Sequence, residues 1–174
     1  MSTTVTPDAV SLRLREATRD EAEIVIALVH HAFTEYRNVL DPPPGGLNEI
    51  PDSLRAQMAA GTRVLIAEQD GTPAGCVFYT PHGDEGFVYL GRLSVSPAFR
   101  RRGIGNALIA AVEERARALG YERTRLGTRV VLTQKQAWYE RLGYRVIAEK
   151  AHPGRPGPTY LVMEKVLAPG KVRP

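Results

Sequence analysis

Apolar and polar positions alternate along residues 10–17 (VSLRLREA), with Val10, Leu12 and Leu14 on one side and Ser11, Arg13 and Arg15 on the other. That period of two predicts a half-buried strand. The period then lengthens. Thr18 and Glu21 have capping-box spacing, in which a hydroxyl and a carboxylate serve the free amides of a helix start. The helix predicted behind them buries Ile24, Val25, Leu28, Val29 and Phe33 and fades near Tyr36. Residues 38–51 hold four prolines and two glycines, so they read as a loop. A short helix is predicted over Ser53–Ala60, ended by Gly61. Arg63–Glu68 and Ala74–Tyr79 are apolar runs joined through Asp70-Gly71, a strong hairpin signal. Phe87–Val95 reads as a strand, and residues 103–119 as an amphipathic helix stopped by Gly120. A strand over 123–131, a helix over Gln134–Leu142 closed by Gly143, and two strands (144–150 and 159–166) around the loop HPGRPGP complete the chain.

The predicted order is β α α β β β α β α β β, an α/β (α+β) domain. It implies a mixed, mostly antiparallel central sheet of about seven strands flanked by about four helices. The strand–helix–strand unit at 87–131 supplies one parallel crossover. At 174 residues, 43% apolar and 24% charged, the chain is long enough for one globular core and too apolar for disorder. The domain is expected over 10–167, with terminal tails at 1–9 and 168–174. No apolar run approaches the roughly 20 residues of a membrane span, and no basic stretch followed by an apolar one opens the chain. A cytoplasmic protein without membrane contact is therefore expected, as monomer or homodimer. Cys76 is the single cysteine, which excludes a disulfide framework and a cysteine zinc site; it reads as a small core residue. His30 and His31 are neighbours on a helix and point apart, and no metal site is expected.

The net charge of +4 conceals an asymmetry: residues 91–145 carry twelve basic against four acidic residues, a balance of +8, and the rest of the chain is at −4. The second half is therefore expected to handle an anion, either nucleic acid or a phosphorylated small molecule. Exposed aromatics do not alternate with the basic residues as a base-stacking surface needs, so no nucleic acid is expected.

The chemistry concentrates at Arg92-Leu-Ser-Val-Ser-Pro-Ala-Phe-Arg-Arg-Arg-Gly-Ile-Gly-Asn106. A strand ends, an arginine-rich turn follows, and Gly103 and Gly105 open a helix. Unpaired amides and a positive dipole end, approached closely through glycine, make a cradle for a pyrophosphate. No Gly-Lys-Ser/Thr follows, so it is not a Walker loop, and the third glycine of a Rossmann turn is missing. A side chain at Gly105 is expected to fill the space that the pyrophosphate enters.

The pattern Leu-x-Val-x-Pro-x-x-Arg-x-x-Gly-x-Gly, carried by Leu93, Val95, Pro97, Arg100, Gly103 and Gly105, resembles the acetyl-CoA signature of the GNAT superfamily of N-acyltransferases. The element order resembles that fold from about Val10 to Leu167. The resemblance implies an acetyl-CoA-dependent N-acetyltransferase acting on a primary amine by direct attack in a ternary complex. It implies that Leu93, Ser94 and Val95 meet the acetyl and pantetheine portions, and that Arg100, Arg101, Arg102, Gly103, Ile104, Gly105 and Asn106 hold the pyrophosphate. Ala137–Tyr144 resembles the family's late helix, which makes Tyr139 the general acid for the departing thiolate.

Two departures stand out. Where the family often has asparagine and alanine seven and four residues before the tyrosine, this chain has Leu132 and Lys135, with Gln134 close by. Where some members carry a glutamate base, it has Tyr89. A base is still needed, since an alkylammonium near pKa ~10.4 is almost wholly protonated at neutral pH. Glu49, His82, Asp84 and Glu85 are the candidates, with Glu49, Arg92 and Tyr89 expected at the acceptor. Acids in the loops are expected to draw in a cationic amine. A non-catalytic acyl-CoA-binding domain is the alternative to an enzyme, and an arginine-rich nucleic-acid-binding module is the third reading, placed behind both.

Overall fold

The computed structural model describes residues 11–169; Val10 and most of both expected tails lie outside the described residues. Seven strands form one sheet in the order β1-β2-β3-β4-β5-β7-β6: β1 (Leu12–Glu16), β2 (Arg63–Gln69), β3 (Thr72–His82), β4 (Phe87–Val95), β5 (Arg123–Arg129), β6 (Arg145–Lys150) and β7 (Tyr160–Val166). Every neighbouring pair is antiparallel except β4 and β5. The helices are α1 (Ala22–Phe33), α2 (Pro51–Ala59), α3 (Ile104–Ala118) and α4 (Thr133–Arg141).

Alternation along β2 explains why it reads as one apolar run. Leu65 and Ala67 enter a core shared with Leu108, Val112 and Ala116 of α3, while Val64 and Ile66 enter a second core with Val25, Val29 and Leu54 of α1 and α2. A strand covered on both faces needs no polar side. Truncating a fully buried anchor such as Leu108 to alanine costs about 2–5 kcal/mol.

The capping signal is confirmed: the Thr18 N–H donates to Glu21 Oε2 at 2.8 Å. It opens a 3-10 turn (Arg19–Glu21) that runs into α1. Ile24 is a correction. It is 43% exposed, because the buried stripe of α1 is Ala22, Val25, Ile26, Leu28, Val29 and Ala32. The hairpin turn has positive φ at both Asp70 and Gly71, as a type I′ turn requires. β3 extends from Thr72 to His82 and bulges at Ala74, where Gly75 and Pro73 oppose the successive β2 residues Ala67 and Glu68. β5 stops at Arg129, leaving Val131 exposed. No helix among the described residues is long and apolar enough to cross a membrane.

Candidate active site

The parallel pair β4–β5 is bonded at Val88–Leu90 against Thr124–Leu126 only. Beyond it, Gly91–Val95 and Gly127–Arg129 continue with no ladder between them, so the sheet splits in its middle. Tyr89 stands at the fork: its hydroxyl lies 2.9 Å from the place a Cβ on Gly127 would take, which is why that position is glycine. On its other edge β4 bulges, with Phe78 opposite Gly91 and Cys76 opposite Ser94. Arg92 absorbs the bulge with φ +50°. The Ser94 hydroxyl donates back to the Arg92 carbonyl at 2.9 Å. Ser94 thus turns its side chain inward, which leaves only its backbone toward the split.

The split opens into a cavity of about 580 Å³, lined among others by Glu49, Tyr89, Arg92, Leu93, Arg129, Lys135, Tyr139 and His152. Beside it lies the start of α3. Gly103 caps that helix in the left-handed region at φ +77°, a conformation open to glycine at no steric cost. The amides of Ile104, Gly105 and Asn106 follow in the first turn, where no intrahelical acceptor exists for them. Ile104 sends its side chain into the core.

The expected reason for Gly105 is corrected. A Cβ there would meet the Trp138 ring at 3.2 Å (Cη2) and 3.4 Å (Cζ2). Gly105 is a docking point for α4, and the Trp138 indole N–H fastens the same joint by donating to Asn106 Oδ1 at 2.8 Å. The arginines also differ from a row of free charges. Arg100 pairs with Glu35 at 2.7 Å and donates to the Val95 and Ala32 carbonyls, tying the turn to the end of α1. Arg102 lies over the Phe99 ring at 5.3 Å. Arg101 is exposed at φ +61°.

Tyr139 lines the cavity and is 6% exposed. Burial, with Tyr36 and Tyr89 nearby, pushes its phenol well above the ordinary tyrosine value, so it keeps its proton at any physiological pH. Its ring is held between Trp138 (4.9 Å) and, edge-on, Tyr144 (6.1 Å). Behind it the Tyr144 hydroxyl donates to Glu113 Oε1 at 3.1 Å, and Lys165 Nζ donates to Glu113 Oε2 at 2.9 Å. This buried network fixes the floor under Tyr139.

Glu49 is brought to the cavity, as expected, but not as a free carboxylate. Its Oε1 accepts from Arg92 Nε at 3.2 Å and Nη2 at 3.0 Å, and its Oε2 lies 2.9 Å from both Ser53 Oγ and Gln57 Nε2. Its two oxygens are thus engaged in holding Arg92 and the start of α2 in place. Its carbonyl accepts from His30 Nε2 at 2.8 Å, which seats the loop on α1. His82, Asp84 and Glu85 are exposed at the β3–β4 turn, the opposite end of β4 from the split, and none lines the cavity. The expected belt of acids is likewise absent from the lining, where Glu49 is the only acid among the described residues. Of the residues at the family's departures, Leu132 and Lys135 line the cavity and Gln134 does not. Lys135 Nζ reaches to 5.2 Å from the Tyr36 ring, and burial lowers its pKa. Cys76 is fully buried with its thiol pushed up to about 12, an inert core residue.

Two cavity residues had no signal in the sequence. His152 comes from the β6–β7 loop; its Nδ1 lies 2.5 Å from Thr159 Oγ1, and burial with Arg129 and Arg155 lowers its pKa, keeping it neutral. Arg129, at the end of β5, donates through Nη2 to the carbonyls of Pro42 (2.7 Å) and Pro43 (3.3 Å). Arg155 pairs with Asp41, which joins the β6–β7 loop to the proline-rich loop above the cavity. Among the described residues, no three His, Cys, Asp or Glu side chains come together as a metal site.

The chain has relatives in sequence and in fold. The chain is 34% identical over 107 residues to N-acetylaspartate synthetase of Homo sapiens, covering 62% of this chain and 35% of that protein. It is 33% identical over 126 residues to IAA acetyltransferase of Azospirillum brasilense, covering 71% of this chain and 80% of that one. The chain spans about a third of the length of the N-acetylaspartate synthetases it matches. Its fold superposes on the PaiA N-acetyltransferase of Thermoplasma acidophilum, solved in complex with coenzyme A, with a TM-score of 0.72 at 19% identity, over 90% of this chain and 99% of that one. The ribosomal-protein-S18-alanine N-acetyltransferase of Escherichia coli superposes with a TM-score of 0.68 at 15% identity, over 94% and 99%. The acetyltransferase (GNAT) family model matches residues 26–144, from α1 through α4 and with them the split, the glycine turn and Tyr139. The chain belongs to that family.

Proposed function

We propose that this protein is an N-acetyltransferase that carries acetyl from acetyl-CoA to an amine by direct attack, both substrates being held in the split at once. The observation that supports this most is the meeting, in one cavity, of the unpaired β4 edge at Leu93 with a buried, protonated Tyr139. The unpaired backbone of Leu93 and Val95 can bond the amides of a pantetheine arm, and the first amides of α3 suit its diphosphate. The Leu93 N–H suits the thioester oxygen as negative charge develops there.

In the step itself the amine nitrogen bonds the thioester carbon and the carbon–sulfur bond breaks. The electron pair leaves on sulfur, and the Tyr139 hydroxyl gives that thiolate its proton. The amine must first lose a proton. In place of the four carboxylate and histidine candidates read from the sequence, His152 is the neutral imidazole in the cavity, and it takes that proton directly or through water.

The test is thiol release from acetyl-CoA across a panel of amines, together with calorimetric titration of CoA. Release with at least one amine supports an enzyme. CoA binding without release from any amine would instead make this an acyl-CoA-binding domain.

A further inference from the structure

The charges around the cavity are the wrong way round for a polycationic acceptor. Its lining holds Arg92, Arg129 and Lys135 against Glu49 alone, and Glu49 is already matched by Arg92 at 3.0 Å. Among the described residues no carboxylate lies within 4.0 Å of Arg129 or Lys135. Residues 100–106, which suit a diphosphate, do not line this cavity, so that group does not balance the excess.

Arg129 is the sharpest case. Its guanidinium is partly buried and cannot shed its proton, so an unpaired state is costly. Only its Nη2 is engaged, by two loop carbonyls; Nε and Nη1 have no protein acceptor among the described residues. Beside it in the strand, Thr128 is 6% exposed, lines the cavity, and buries a hydroxyl with no hydrogen-bond partner. The free Nη1 of that guanidinium and the orphan hydroxyl, at one end of a cavity, are a donor pair that a carboxylate satisfies.

We infer that the acceptor is an amine that also carries a carboxylate, of amino-acid size, with Arg129 and the outer face of Arg92 receiving the carboxylate while the amine faces His152 and the thioester. This rests on the transferase reading for its chemistry, though not for the binding itself. The size follows from the cavity, whose volume of about 580 Å³ must also take the acetyl end of the cosubstrate.

The experiment compares matched pairs: each amino acid against its carboxamide, with a linear polyamine as the cationic control. An acidic amino acid whose α-carboxyl is amidated shows which carboxylate is held. Turnover by thiol release and binding by calorimetry in the presence of CoA are read in parallel. The expected result is a kcat/KM for the free acid at least about tenfold above that of its carboxamide, the size of one charge-assisted pair. Arg129→Gln should close that gap by raising KM for the acid, leaving the carboxamide and acetyl-CoA KM values in place, and Arg129→Lys should restore part of it. Carboxamides or the polyamine reacting as well as the acids overturns the inference and leaves the transferase reading standing. So does a gap that survives in folded Arg129→Gln. If no amine reacts but the acid still binds in preference to its carboxamide, the carboxylate site stands and the transferase reading falls. If neither binds, the inference is overturned too.

Discussion

At the α3 end of the cavity, β4, the glycine turn, α3, β5 and α4 follow one another in a single run of chain, and each element positions the next. At the loop end nothing is local: Glu49 meets Arg92 across 43 residues, Pro42 meets Arg129 across 87, and Asp41 meets Arg155 across 114. The α3 end is held by packed rings and a helix start. The loop end is held by ion pairs and carbonyl contacts between two proline-rich segments. The first kind of construction gives a rigid template for an invariant cosubstrate. The second lets the acceptor end change through a few loop residues while the template stays as it is.

The largest effect should come from breaking the template. Gly105→Val drives a branched side chain into the Trp138 ring and strains the bond to Asn106, and CoA affinity should fall on the order of 100-fold by calorimetry. Gly103→Ala, which meets nothing within 4 Å, should cost only the backbone strain of a positive φ, about 1–2 kcal/mol. Equal losses in the two variants would mean that the α4 joint is not what makes this end rigid.

Tyr139→Phe keeps the ring between its neighbours and removes only the hydroxyl. It should lower kcat by about 10–100-fold with the acetyl-CoA KM unchanged. Next comes His152→Gln, which should lower kcat by at least about tenfold. A base works deprotonated, and the depressed pKa of His152 places its limb below the ordinary imidazole value of about 6.5. The raised pKa of Tyr139 places the falling limb above the ordinary phenol value of about 10. The kcat profile should therefore be flat between the two, and the variant should lose the acid limb. The smallest effect belongs to Glu49→Gln, which turns an amide N–H toward one of the donors Glu49 now satisfies. Acceptor KM should rise about 3–10-fold from the displaced Arg92, with acetyl-CoA KM untouched. A change in acetyl-CoA KM here would erase the division between the two ends.

That division also marks what was legible in the sequence. Helix stops at Gly120 and Gly143, the Asp70-Gly71 hairpin, the glycine turn and Tyr139 could all be read, because each depends on residues a few positions apart. The purpose of Gly105 could not, because the ring it accommodates lies on another helix. Arg100 was legible as a charge but not as the partner of Glu35. Summing charge by stretch of sequence led to acids around the acceptor, whereas folding carries Arg129 and Lys135 into the lining and leaves Asp84 and Glu85 at a remote turn. His152 sits in a stretch that reads only as loop. What it faces is decided by Thr159 and by arginines that arrive from elsewhere.

The fork at Tyr89 has a mechanical consequence. Three paired positions, Val88–Leu90 with Thr124–Leu126, are all the ladder that joins β1–β4 to β5–β7–β6, so the sheet is two plates on a short hinge. A ligand whose amides bond the free edges on both sides would act as a brace, adding rungs where the protein has none. Hydrogen exchange at the Leu90 and Leu126 amides should then slow when CoA binds, although neither residue needs to touch it, because the opening that exposes them is a rotation of one plate against the other.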